Sequence, residues 1–265
     1  MEVVFDNAGC EAIQNLNFKI TDGTIVGFCG TDARLAISGM LMATRSLTSG
    51  EIIVGKYTIL SNRALEEIHY LRRTAAYLPS NPDEYLFNKT VVDEMMFSLI
   101  YFDAKYDENT VLNPMLQVGL DYSYINRKVR DLSTTEKKRL MLSSSIAHGT
   151  EVFIFEDFEK GMDQKTKQEF KKLIRQLKKD YNKTIIVISN ETDYLFDLCD
   201  YVYCVSSTGV VMEGNKDILL AKEIYNYVPK PKIIDCIDNI NEQGHDAKYY
   251  LELGELLKAV YRDVK

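Results

Sequence analysis

Two rhythms of apolar and polar positions run along this chain, and the switches between them mark out its elements. Val3–Phe5 and Ala12–Ile20 alternate and predict strands on either side of a turn at Asn7–Gly9. Thr24–Cys29 is instead a continuous apolar run ending at Gly30, the pattern of a strand buried on both faces. Leu35–Arg45 has helical spacing until Thr48-Ser49-Gly50 breaks it, and Glu51–Val54 and Tyr57–Leu60 flank the hairpin signal Gly55-Lys56. Ala64–Leu71 predicts a helix, Thr74–Leu78 a strand, and Thr90 to about Tyr122 a mostly helical stretch. Thr134–His148 predicts a helix that opens after Ser133, a residue suited to capping it. A second continuous apolar run, Val152–Phe155, precedes an amphipathic helix over Asp163–Tyr181 and a β-branched run over Thr184–Ser189. Tyr201–Ser206 and Val210–Met212 predict a hairpin around Thr208-Gly209. Strands alternating with helices predict an α/β chain built on a mainly parallel sheet. From Asn215 the pattern changes: Pro229 and Pro231 bracket a turn, and Lys232–Lys265 predicts short helices.

Composition narrows this picture. With 265 residues, 46% of them hydrophobic, the chain can bury one large α/β core with a small appendage. The net charge of −7 argues against nucleic acid as a partner, and Lys165–Lys179 reads as a solvated helix face. Cys10, Cys29, Cys199, Cys204 and Cys236 are odd in number and lack metal-ligand spacing, and Cys29 and Cys204 read as buried thiols. His69, His148 and His245 show no ligand spacing either. A strand pattern, not a signal peptide, follows Met1-Glu2, and no apolar run approaches the ~18 residues of a membrane helix. The expectation is a soluble, cytoplasmic protein that reaches the inner face of the cell membrane only through partners.

Candidate chemistry lies where strands end. After the run Ile25–Cys29 comes Gly30-Thr31-Asp32-Ala33-Arg34-Leu35, a strand-to-helix turn of the kind that cradles phosphate. After Val152–Phe155 come two carboxylates, Glu156 and Asp157, then Gly161-Met162-Asp163. Unpaired charges at the end of a buried strand are costly, so this pair marks a site. Leu132-Ser133-Thr134-Thr135-Glu136 opens one helix, and Ser80-Asn81-Pro82-Asp83 leads through Leu86-Phe87 to Thr90-Val91. Asn190 follows the strand Ile185–Ser189.

In order and spacing, these segments resemble the ATP-binding cassette (ABC) ATPases over residues 2 to 215. The stretch from Ser80 to Val91 is similar to the energy-coupling-factor (ECF) and cobalt-uptake subgroup. The resemblance implies an ABC-type nucleotide-binding domain over 1–215, with a parallel core sheet, an N-terminal antiparallel β subdomain and an inserted helical subdomain at about 90–140. It also implies a helical C-terminal extension over 216–265 that assists dimerisation. A cassette of this kind pairs head to tail with another, as homo- or heterodimer, and drives a transmembrane component. By the same resemblance Gly30–Leu35 would bind ATP, and Ser80 stands where a glutamine senses Mg²⁺. Ser133–Glu136 is the signature, Glu156 would hold Mg²⁺, Asp157 would polarise water, Asn190 stands at the switch histidine, and Asp163 belongs to the D-loop.

Most of these letters depart from the family pattern. Only the first phosphate-loop glycine is present, and the loop is about two residues short. One register aligns Arg34 with the family lysine and Leu35 with its hydroxyl residue. The other puts Ala36 and Ile37-Ser38 there, and the first is preferred because it keeps a cation. Thr134 and Thr135 replace signature glycines, Glu136 adds negative charge, and Asp157 is a methylene short as a base, a misplacement that can cost ~10²-fold in rate. These changes weigh against efficient use of ATP and Mg²⁺. Three readings follow. A non-hydrolysing or very slow subunit is preferred over an unconventional Mg²⁺-dependent ATPase and over an interaction module that keeps only the fold.

Overall fold

The computed structural model describes residues 1–60, 65–102, 107–243 and 248–249. Its centre is a six-stranded sheet in the order β10-β9-β3-β8-β7-β6. The strands are β3 (Ile25–Gly30), β6 (Ala75–Leu78), β7 (Val152–Glu156), β8 (Thr184–Ile188), β9 (Tyr201–Ser206) and β10 (Gly209–Gly214). Every pairing is parallel except β9 with β10. The continuous apolar runs have the cause expected of them: both faces of the sheet are covered. Phe153, Phe155, Ile185 and Val187 point into a core shared with the helices, while Ile154, Ile186 and Ile188 point into a second core on the opposite face.

The second core is closed by an antiparallel sheet in the order β2-β1-β4-β5, with β1 Val3–Cys10, β2 Ile13–Ile20, β4 Ser49–Val54 and β5 Tyr57–Ile59. Helix α1 (Leu35–Leu41) packs there too, burying Ala36, Ile37 and Met40. Phe5, read as lying near an adenine-stacking position, is buried at 1% exposure in a stack with Phe18, and Phe18 in turn meets Phe28 and Tyr203.

The helical face carries α3 (Val91–Tyr101), α4 (Glu108–Gln117), α5 (Thr134–Ala147), α6 (Gln164–Tyr181) and α7 (Thr192–Leu198). Helix α2 (Leu65–Thr74) leads into β6, and α8 (Lys232–Glu242) follows two 3-10 turns at Lys216–Leu220 and Lys222–Asn226. The remainder of the expected C-terminal helices, 244–247 and 250–265, lies outside the described residues.

Three local expectations change. The predicted turn at Asn7–Gly9 is a bulge inside β1: Asn7 takes φ 47°, the register slips between Phe5 and Ala8, and the hairpin turns at Glu11-Ala12. The helix predicted over Leu35–Arg45 stops at Leu41, because Ala43 turns left-handed and the Thr44 and Arg45 N–H groups bond to the Gly39 carbonyl. Helix α7, too short to show a period, is additional.

Candidate functional site

Glu156 is the last residue of β7 and shares a sheet face with Ile154, so its side chain is directed towards α1. There the Ser38 hydroxyl donates to its Oε2, and the Tyr77 hydroxyl, from β6, donates to its Oε1 at 2.7 Å. Burial, then the carboxylate it faces, pushes the Tyr77 phenol far above its usual range, so it stays a donor.

Asp157 has different company. It is 8% exposed, in a left-handed conformation at φ 47°, and receives the Arg34 Nη2 at 3.4 Å and the Lys160 Nζ at 2.8 Å. Arg34 is buried too, at 4%, and its Nη1 also meets Asp32 Oδ1 at 3.0 Å and the Thr31 carbonyl at 3.4 Å. Among the described residues, Arg34 Nε and Asp157 Oδ1 are buried without partners, as is Glu159 Oε2 two residues on.

The turn between β3 and α1 is a 3-10 turn over Asp32–Arg34. Several of its N–H groups are committed inside the chain: Gly30 to Asn190 Oδ1 at 3.0 Å, Thr31 to the Val205 carbonyl at 3.0 Å, and Arg34 to the Thr31 carbonyl at 3.0 Å. Gly30 has its own reason to be glycine. Its φ is +117°, and a Cβ there would stand 2.0 Å from the Val205 carbonyl oxygen. Asn190 Nδ2 donates back to the Gly30 carbonyl at 2.8 Å, so its amide brackets this peptide unit. Ala33 is buried, and Leu35, the first residue of α1, lies on a cavity wall.

Ser80 is half-buried and makes no side-chain hydrogen bond among the described residues. At the start of α5, Ser133 caps the helix and Glu136 closes a capping box by accepting the Ser133 N–H at 2.7 Å. The Tyr124 hydroxyl donates to Glu136 at 2.7 Å, and Arg127 lies 3.7 Å away. Thr134 is exposed beside Thr135, and none of Ser133–Glu136 bonds to the loop or to the Glu156-Asp157 pair. Asp163 caps α6 through the Thr166 N–H at 2.7 Å.

Three contributors were not singled out from the sequence. Lys160 had a readable signal, its i+3 spacing from Asp157. Tyr77 had none. Lys138, fully buried, donates to the Phe158 and Lys160 carbonyls at 2.6 and 2.8 Å, which ties α5 to the turn after β7. Burial pulls Lys138 down to about 8 and pushes the neighbouring Glu159 up, and the Ser189 hydroxyl donates to Glu159 Oε1. Among the described residues no group of three or more His, Cys, Asp or Glu side chains could hold a metal ion. No helix is long and apolar enough to cross a membrane.

No protein-family model matches the chain. Its sequence is 25% identical over 250 residues to an energy-coupling factor transporter ATP-binding protein of Spiroplasma kunkelii, covering 89% of this chain and 80% of that one. It is 26% identical over 233 residues to a putative ABC transporter ATP-binding protein of Pyrococcus furiosus, covering 84% and 82%. Among solved structures, CbiO1 from Clostridium perfringens, part of the ABC transporter complex CbiONQ, superposes with a TM-score of 0.73 at 21% identity over 84% of this chain and 91% of that one. The dimeric cassette MJ0796 bound to ADP and Pi superposes at 0.71 with 15% identity, over 81% and 98%. The chain has the fold of an ABC ATPase nucleotide-binding domain, and its sequence is similar to ATP-binding subunits of the ECF type.

Proposed function

We propose that this chain is an ECF-like ATP-binding-cassette subunit of a membrane transporter, and that it works as a non-hydrolysing or very slow scaffold or regulatory subunit. It would pair with another cassette, its own copy or a different one, and sit at the inner face of the membrane through a transmembrane component. Residues 1–215 would form the cassette and 216–265 an extension that assists dimerisation. Relatives named as ECF transporter ATP-binding proteins, and a neighbour described as part of CbiONQ, support the transporter setting.

One observation carries the non-hydrolysing part: the chain's own side chains already hold both carboxylates. Glu156 takes hydroxyls from Ser38 and Tyr77, and Asp157 takes cations from Arg34 and Lys160. A general base needs a free carboxylate aimed at water. A phosphate cradle needs free N–H groups, whereas those of Gly30, Thr31 and Arg34 are donated inside the chain. In this arrangement the residues do not fit a nucleotide polyphosphate with its Mg²⁺, and no catalytic step is assigned to them.

Calorimetric titration of ATP into the purified chain, with and without Mg²⁺, tests this reading beside a phosphate-release assay. The expected result is no binding in the micromolar range and no turnover. Micromolar binding with Mg²⁺-dependent hydrolysis that Asp157→Ala abolishes would establish the active-ATPase reading instead.

A further inference from the structure

Between α1, β6, α3 and α5 lies an open cavity of about 630 Å³. Its walls include Met42, Leu86, Phe102 and Met141, and its floor reaches Ser38, Tyr77 and Glu156. Tyr77 pairs with Ile154 in the β6–β7 ladder, and Glu156 is two residues further along on the same face. A phenol is long enough to close that diagonal, and the hydroxyl meets the carboxylate at 2.7 Å. Behind Tyr77 stands Tyr85, whose ring meets it edge-on at 5.5 Å and is 44% exposed at the cavity. Ser80, at the position expected to sense the site, has no side-chain contact to pass on.

We propose that Tyr77 is the positioning residue for the Glu156 carboxylate, and that an occupant of the cavity acts on Glu156 through the Tyr85–Tyr77 pair. The proposal rests on the reading of Glu156 as part of the altered nucleotide site, and deepens it by naming the side chain that joins that site to the cavity. An occupant that displaces Tyr85 moves the Tyr77 ring, and the phenol then either keeps or releases Glu156 Oε1. Ser38 holds the other oxygen, so releasing one donor rotates the carboxylate without freeing it.

The test uses the full chain labelled with ¹³C at glutamate carboxyls, with the Glu156 resonance identified by its loss in Glu156→Gln. Tyr77→Phe removes one hydroxyl and keeps the ring packed on Tyr85, so folding is preserved. It is expected to move the Glu156 resonance beyond the scatter of the other glutamates, whereas Ser80→Ala leaves it in place. A benzyl group attached by a disulfide to Leu86→Cys, in a Cys236→Ser background, then serves as an artificial occupant. It is expected to move the Glu156 resonance when Tyr77 is present and not in the Tyr77→Phe chain. An unmoved resonance in Tyr77→Phe, an equal response to Ser80→Ala, or a plug effect independent of Tyr77 each overturns the proposal. No readout involves nucleotide, so failure here leaves the ATP titration to judge the proposed function separately.

Discussion

The loop after β3 and the start of α5 both stand where the ABC fold meets phosphate, and both have lost the glycines of that role, but they have been rebuilt in opposite ways. The start of α5 is an ordinary helix N-terminus: Ser133 and Glu136 satisfy each other's backbone donors, and Tyr124 and Arg127 attend the carboxylate. The loop is tense. It buries Arg34 against Asp157, leaves Arg34 Nε and Asp157 Oδ1 unpartnered, and holds Gly30 and Asp157 at positive φ. Buried polar groups must find partners, and α5 meets that demand locally while the loop meets it only through distant strands. Whatever chemistry persists in this chain is therefore to be sought at the loop.

Substitutions at the two regions should separate them by size of effect. Gly30→Ala combines a positive φ with a contact against β9 backbone, so urea unfolding should show a loss of about 3 kcal/mol or more. A loss no larger than that of a surface change would mean the loop relaxes freely and the contrast is false. Arg34→Ala leaves Asp157 buried with Lys160 as its remaining ion-pair partner, and should lower stability by about 2 kcal/mol. If stability rises instead, the burial of Arg34 is a net burden and the loop is held by packing.

The far end of α5 offers a pH test. His148 places Nδ1 at 2.9 Å from the Ser144 carbonyl and Nε2 at 2.8 Å from the Thr150 hydroxyl, and burial pulls it from 6.5 down to about 4. A depressed folded-state value means the unfolded chain binds the proton more readily. The stability His148 contributes is thus full above pH 6.5 and lost as pH falls towards 4, by about 2 kcal/mol. Unfolding curves at pH 7 and 4.5 should show this loss in the parent chain and a reduced one in His148→Gln.

The smallest effect belongs to Ser133→Ala, about 1 kcal/mol, the ordinary value of a helix cap. A much larger loss would show that α5 depends on its first turn as heavily as the loop depends on Gly30.

Part of the site was readable and part was not, and the division follows distance along the chain. Ser133 was legible as a cap, and the carboxylate pair at the end of β7 was legible as a site, because a capping residue before a helical period and charges after an apolar run are local patterns. The preferred loop register set Arg34 in the family lysine's place and Leu35 in its hydroxyl's. In the structure Arg34 reaches Asp157, while the hydroxyl that meets Glu156 is Ser38, from the other register considered. No local pattern separates the two, since each pair is more than a hundred residues apart. Tyr77 was silent for the same reason: in Ala75-Ala76-Tyr77-Leu78 it reads as a strand residue until β6 is laid beside β7.

By itself the sequence determined the order and kind of the elements and the places where chemistry could sit. Periodicity, caps and turn residues act over a few positions, and the chain carries them wherever it folds. Only the tertiary structure decided what each polar group at those places meets. The parity of β7 turns Glu156 towards α1 and its two hydroxyls, and the left-handed step at Asp157 brings the next carboxylate to Arg34 and Lys160. Two adjacent residues thereby acquire different surroundings, because hydrogen bonding and ion pairing depend on separations of about 3 Å that are set by strand register and helix packing, not by neighbours in sequence.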